Sequence, residues 1–277
     1  MKKIPFFKMN GSGNDFIIIN NRDKIVESLV DIPLEEFVQK VCKRGLSVGA
    51  DGLILIEKDD VYDFRWRFFN SDGSEVEMCG NGSRCAARFA YLNSIAPLNM
   101  KFSTLAGVIE AQITGLNTVR VQLTNPKDYK AEIELEGIGM PASFINTGVP
   151  HVVYFVDNVD VIDVKEIGAK TRYHDYFKPE GTNVNFAEII DENTIKLRTY
   201  ERGVEDETLA CGTGATAAAV ISVLQGKCES PVDVLTKGGK TLKIYVYVDD
   251  SGIKKVYLEG EALLTYIGTM IEEAWNY

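Results

Sequence analysis

The stretch Met78-Cys79-Gly80-Asn81-Gly82-Ser83-Arg84-Cys85-Ala86-Ala87 returns in outline as Ala210-Cys211-Gly212-Thr213-Gly214-Ala215-Thr216-Ala217-Ala218-Ala219. Both copies read Cys-Gly-x-Gly-small and run on into alanines. Their lead-ins match as well: Arg67-Phe68-Phe69-Asn70 precedes the first copy and Arg198-Thr199-Tyr200-Glu201 the second, each followed by an acidic stretch. The two leading cysteines lie 132 residues apart in a chain of 277. A solenoid would need several shorter repeats, so two copies at this spacing indicate two related domains.

Working outward from the motifs, the strongest helical signals begin at the cysteines themselves. One helix is predicted from Cys79 to about Asn93 and the other from Cys211 to about Gln225, with Gly226 as a stop. The stretch Ala215–Leu224 is apolar nearly all round, as expected of a helix buried at the centre of a domain. Weaker helical patterns cover Leu34–Lys43 and Val161–Lys170. Strand patterns cover Phe16–Asn20, Leu53–Glu57, Phe64–Phe69, Val119–Leu123, Val152–Val156, Thr194–Tyr200 and Leu242–Val248. Strands outnumber helices and do not alternate with them, which argues against a parallel doubly wound sheet. The expected fold class is α+β: two pseudo-symmetric domains, each with strands wrapped around a central helix. Residues 1–124 should carry Cys79 and residues 125–267 Cys211, with a crossover at Asn125-Pro126 and residues 268–277 returning to the first domain.

Composition narrows the chemistry. Thirty Lys and Arg against 40 Asp and Glu give a formal net charge of −10, and no basic run breaks the excess, so nucleic acid is a poor partner. The longest nearly apolar stretch is about half a membrane span. Met1–Phe7 begins like a signal peptide, but Lys8, Asn10 and Asp15 interrupt any apolar core, so a cytoplasmic protein is expected. Five cysteines (Cys42, Cys79, Cys85, Cys211 and Cys228) make an odd number for a disulfide framework. With no Cys-x-x-Cys pair and only two histidines, no metal site is expected either.

A Cys-Gly-x-Gly segment that opens a helix has a definite chemical meaning. The first turn has unpaired N–H groups and about half a positive charge at its end. Glycine lets a ligand approach the backbone closely. The result cradles a carboxylate and favours a thiolate on the cysteine. Two such helices facing one carboxylate would set two sulfurs on opposite faces of the adjacent carbon. That arrangement suits inversion of a stereocentre: one sulfur removes a proton as thiolate and the other delivers one as thiol. The N–H dipoles would stabilise the carbanion between the two steps.

At these residues the chain resembles the diaminopimelate epimerase family of pyridoxal-independent amino acid epimerases. The resemblance runs nearly end to end. It includes Lys8-Met9-Asn10-Gly11-Ser12-Gly13-Asn14-Asp15-Phe16, Gly49-Ala50-Asp51-Gly52, Phe69-Asn70-Ser71-Asp72-Gly73-Ser74, both cysteine motifs and Tyr200-Glu201-Arg202-Gly203. It implies Cys79 and Cys211 as the acid–base pair, and a reacting carboxylate held by backbone around Gly80-Asn81 and Gly212-Thr213. It further implies that Asn14, Asn70, Asn183, Glu201 and Arg202 bind substrate, and that His151 and Glu201 tune the thiols. A cytoplasmic homodimer without cofactor, serving lysine and peptidoglycan precursor synthesis, follows from the same resemblance. On chemistry alone, Arg202 suits a distal carboxylate and Glu201 an ammonium group.

Three positions depart from the family pattern. Val149 stands where Asn often precedes Pro-His, Gly52 stands where some members carry Gln, and the loop from Glu201 to Cys211 is one residue longer than usual. Two other readings compete. A proline or hydroxyproline racemase would usually carry Cys-Gly-His where this chain has Cys79-Gly80-Asn81, and would not need Arg202. A duplicated anion-binding protein would carry the thiols incidentally.

Overall fold

The computed structural model describes residues 1–250 and 252–277. The chain divides into two compact units, Met1–Val121 with Gly260–Tyr277, and Gln122–Glu259. It leaves the first unit within one strand and re-enters it within another.

The first unit contains β1 (Lys3–Gly11), β2 (Asn14–Asn20), α1 (Ile25–Leu29), α2 (Leu34–Cys42), β3 (Gly52–Glu57), β4 (Phe64–Asn70), β5 (Glu75–Val76), α3 (Gly80–Leu92), β6 (Asn99–Thr104), β7 (Gly107–Ile113) and most of β8 (Thr118–Leu123). β2 pairs with β1 antiparallel and with β3 parallel, and β3 pairs with β4 antiparallel. β4 takes β5 antiparallel and β6 parallel, and the ladder then runs antiparallel through β7 to β8. Both faces of β2 and β3 are covered, which explains their unbroken apolar runs. Ile17, Ile19, Leu53 and Leu55 join Phe37, Val38 and Val41 of α2 in one core. On the opposite face Ile54 and Trp66 lie against Gly82 of α3, and α3 packs on β1, β2, β3 and β7.

The second unit repeats this plan. It contains β9 (Lys127–Ile133), β10 (Ala142–Asn146), β11 (Pro150–Phe155), α4 (Val164–Arg172), β12 (Asn183–Asp191), β13 (Thr194–Glu201), β14 (Asp206–Thr208), α5 (Gly212–Leu224), β15 (Val232–Thr236), β16 (Thr241–Asp249) and most of β17 (Gly252–Glu261). β11 and β12 are parallel as β2 and β3 are, and β13 takes β14 antiparallel and β15 parallel as β4 takes its partners. α5 is buried from Gly214 to Ser222 and packs on β10, β11, β12, β13, β15 and β16. α4 covers the outer face, where Val164 meets Tyr154, Val184, Phe186 and Tyr200. Both expected central helices start and end where the sequence puts them, and Gly226 takes the left-handed φ of 66° just beyond α5.

The last strand, β18 (Leu263–Ile271), belongs to the first unit and pairs antiparallel with β1 from Lys3↔Ile271 onward. The fold is α+β, with one mixed sheet curved about one helix in each unit.

A matched pair of ion pairs marks the duplication at the level of single atoms. Arg67 on β4 forks onto Glu75 on β5 with two N–H bonds of 2.8 Å. Arg198 on β13 forks onto Glu207 on β14 at 2.6 and 2.8 Å. Each fork ties the strand before the cysteine to the short strand leading into it.

Candidate active site

In the first unit, β4 ends in a tight turn. The Asn70 N–H donates to Ser74 O (2.9 Å), the Gly73 N–H donates to Asn70 O (2.9 Å), and Gly73 holds φ at +88°. β5 then delivers Cys79 in extended backbone (φ −146°, ψ 116°) as the residue that caps α3. Its sulfur stands where a Ser or Asp oxygen usually caps, and accepts the Gly82 N–H at 3.4 Å. Burial raises the Cys79 thiol above its ordinary range, while the Gly82 and Asn81 N–H groups and Arg84 pull the other way.

The expected binding residues gather around this cap. Asn81 donates from Nδ2 to Asn14 Oδ1 at 2.6 Å, and Asn14 donates from Nδ2 to Asp51 Oδ2 at 3.2 Å. Asp51 is held by Arg44 Nη2 at 2.8 Å, and Arg44 also binds Asp15. Asn70 lies at the exposed end of β4 opposite Gly52, near a Ser74 hydroxyl 3.4 Å away. At Gly52 an added Cβ would fall 2.6 Å from both the Phe68 ring and the Phe69 carbonyl, so no side chain reaches out from this position.

The second unit builds the same cap from the other copy. Cys211 is extended (φ −126°, ψ 109°), and its sulfur accepts the Gly214 N–H at 3.4 Å. It also shares a 3.4 Å hydrogen bond with the Thr213 hydroxyl. The Thr147 hydroxyl donates to Thr213 O at 3.1 Å and steadies the turn. Burial pushes the Cys211 thiol up to about 11, and the Glu201 carboxylate adds to the rise. Glu201, at the end of β13, is itself held above the usual carboxyl range by burial.

Arg202 and Asn183 are brought together directly. The Arg202 N–H donates to Asn183 Oδ1 (2.8 Å), Asn183 Nδ2 donates to Pro150 O (3.1 Å), and Arg202 Nη1 donates to Glu180 O (2.9 Å). His151 pairs with Asn183 in the β11–β12 register and is fully buried. Burial, reinforced by the Arg202 charge, draws its pKa down to about 3. Its tautomer follows from its neighbour. Asn185 Nδ2 donates to Val152 O (2.8 Å), which fixes the amide, so the same nitrogen meets His151 Nδ1 (3.1 Å) as a donor. The ring proton therefore sits on Nε2, a buried atom with no protein partner.

Two residues of these half-sites are absent from the sequence-level expectations. Asn185 lies beneath the cap of α5, where a Cβ on Gly214 would approach its Oδ1 to 2.3 Å. Its sequence signal is a polar residue between Val184 and Phe186 in a buried run. Arg84, fully buried on α3, binds Asn81 and the backbone of Gly80. Its only signal is its place inside the cysteine motif, where the second copy has Thr216.

The family model for diaminopimelate epimerase matches residues 6–128 and again residues 143–265, one match on each cysteine motif. The chain belongs to the diaminopimelate epimerase family. A diaminopimelate epimerase of Aquifex aeolicus is 49% identical over 282 residues, covering 99% of this chain and 100% of that protein. One from Archaeoglobus fulgidus is 42% identical over 281 residues, covering 97% and 96%. Among solved structures, a Bacillus anthracis phenazine biosynthesis protein of the PhzF family superposes with a TM-score of 0.73 at 16% identity, covering 98% of this chain and 100% of its own. A probable proline racemase from Agrobacterium radiobacter, with bound carbonate, gives 0.69 at 14%, covering 97% and 93%. At such identities these two structures share the fold alone. Within the diaminopimelate epimerase family, then, the chain carries both capped cysteines, and its family matches fall on the two halves that the structure repeats.

Proposed function

We propose that the chain interconverts LL- and meso-2,6-diaminopimelate with two cysteines as the only proton carriers. The observation that carries the reading is the repeated cap: each central helix begins at a cysteine whose sulfur accepts the N–H of the residue three positions on, at 3.4 Å in both copies. Inverting a stereocentre needs one proton carrier on each face, and each unit supplies one. A thiolate takes the Cα proton from one face while the opposite thiol returns a proton to the other, and the reverse reaction exchanges the roles. The N–H groups at Gly80-Asn81 and Gly212-Thr213 would hold the carboxylate at the reacting carbon and stabilise its enediolate character. Arg202, anchored through its own N–H to Asn183, suits the distal carboxylate, and Glu201 the distal ammonium. The neutral His151 would serve through its free Nε2–H as a hydrogen-bond donor. A cytoplasmic homodimer is the assembly that family membership supports. No helix among the described residues is long and apolar enough to cross a membrane.

The deciding experiment is turnover of LL-diaminopimelate in deuterium oxide, followed by chiral separation and mass spectrometry. The expected product is the meso isomer with one solvent deuterium at the inverted Cα. Conversion without deuterium, or turnover of proline and not of diaminopimelate, would overturn the reading.

A further inference from the structure

Arg84 is a charged side chain with no exposed surface, and among the described residues of its unit no carboxylate lies within ion-pair distance of it. Its donors are spent on neutral acceptors: Ser12 Oγ at 2.8 Å, Asn81 Oδ1 at 2.9 Å, and the carbonyls of Gly80 and Glu261 at 3.3 Å each. Burial lowers its pKa only to about 10, so the guanidinium stays charged at neutral pH. A buried cation without a counter-ion is costly to keep, and the groups beside it that can become anions are two thiols, Cys85 and, at the helix cap where its sulfur already accepts an N–H, Cys79.

Its second effect is on orientation. A guanidinium only donates, so Asn81 must turn Oδ1 toward Arg84 and Nδ2 toward Asn14. Asn14 must then turn Oδ1 toward Asn81 and Nδ2 toward the Asp51 carboxylate, which only accepts. A cation at one end and an anion at the other leave both amides one arrangement. The second unit has no such device, because the residue at the equivalent place, Thr216, bonds its own helix at Gly212 O (2.8 Å).

We infer that Arg84 is a positioning residue of the Cys79 half-site: its uncompensated charge makes Cys79 the more readily ionised thiol of the pair, and its fork locks the Asn81 and Asn14 amides toward the substrate. The charged groups that face Cys79 within its unit are Arg84 on its own helix and Asp51 ahead of β3, the latter already neutralised by Arg44. Cys85 faces Arg84 first and Arg88, further along α3, second, yet burial still pushes its thiol up to about 12, and Arg88 itself donates to Ala262 O. Cys211 instead faces the Glu201 carboxylate on β13. The two proton carriers are thus built into fields of opposite sign. The inference rests on the proposed role of both cysteines, and its test is independent of turnover.

That test is the pH dependence of iodoacetamide alkylation of the ligand-free protein, with peptide mapping to follow Cys79 and Cys211 separately. In the natural protein the Cys79 midpoint should lie below that of Cys211 by about one pH unit or more. Arg84→Met should slow Cys79 alkylation near neutral pH by ~10-fold, equivalent to one pKa unit, and leave the Cys211 profile in place. Arg84→Lys keeps the charge but not the fork, so the Cys79 midpoint should hold while KM for LL-diaminopimelate rises. A Cys211 midpoint below that of Cys79, or a Cys79 profile unmoved in Arg84→Met, would overturn the inference. Should Arg84→Met not fold, the order of midpoints in the natural protein and the Arg84→Lys split still decide it. Thiol profiles as expected without epimerisation would instead sink the proposed reaction and leave the role of Arg84 standing.

Discussion

At the scale of single residues, the two capped cysteines and the other three differ in what surrounds the sulfur. Burial pushes the Cys42 and Cys85 thiols up to about 12, whereas Cys79 and Cys211 each accept a helix N–H. Replacing Cys79 or Cys211 by Ala removes the proton carrier of one face, so kcat should fall ~10²–10⁴-fold or more. Cys42→Ala and Cys228→Ala should leave kcat near the natural value in the same assay. His151 gives a second expectation at this scale. Its folded pKa of about 3 lies below the ordinary 6.5, so the unfolded chain binds more protons between those values. The stability this contributes is complete above about pH 6.5 and is lost as pH falls toward 3. Nitrogen-detected NMR should therefore find the ring neutral and protonated at Nε2 at pH 6, and an imidazolium signal there would contradict the buried environment. The cysteines were legible because helix-start chemistry leaves a short local pattern, Cys-Gly-x-Gly. The roles of Arg84 and Asn185 were not, because each acts on residues from other segments, Ser12 and Glu261 for one and His151, Val152 and Thr199 for the other.

At the scale of elements, the glycines that admit each helix to its sheet are not equally tight. A Cβ on Gly214 would fall 2.3 Å from Asn185 Oδ1, whereas one on Gly82 would meet Trp66 at 3.3 Å and Ile54 at 3.4 Å. Gly214→Ala should cost ~1–3 kcal/mol through overpacking, and Gly82→Ala less, by urea unfolding. The forks differ in a similar way. Arg198 also donates to the carbonyls of Val159 (2.8 Å) and Ile162 (3.0 Å), while Arg67 adds only a stacking contact over the Phe69 ring. Arg198→Met should therefore destabilise by about 1–3 kcal/mol and Arg67→Met by less. Arg198 holds the Glu207 carboxyl below its ordinary range, as Arg67 holds Glu75. That share of the stability is complete above about pH 4.5 and is lost as pH falls through the lowered values, so Arg198→Met should flatten the acid limb of stability against pH. Strands buried on both faces, such as β2 and β3, announced themselves as apolar runs. β1 did not, because Pro5 and Lys8 interrupt the run, and β9 did not, because six of its seven residues are exposed.

At the scale of the whole chain, the duplication was legible from one motif, while the place of the crossing was not. The first unit ends at Val121, inside β8, where the apolar alternation continues unbroken and composition gives no mark. The second unit is one continuous segment with its own helix and core. A fragment spanning Gln122–Glu259 should accordingly show a cooperative thermal transition by circular dichroism, at a lower temperature than the full chain, and no epimerase activity. A featureless melt would show that its strands need the rest of the protein.

The pairing of β1 with β18 sets an order of events during synthesis. Lys3 leaves the ribosome 268 residues ahead of its ladder partner Ile271. The second unit, finished at Glu259, is wholly translated before the first has received its closing strand. Until then β1 waits with one edge unpaired, a template for any passing strand. A message cut short between Glu259 and β18 would thus leave the later-made half intact and the earlier-made half open.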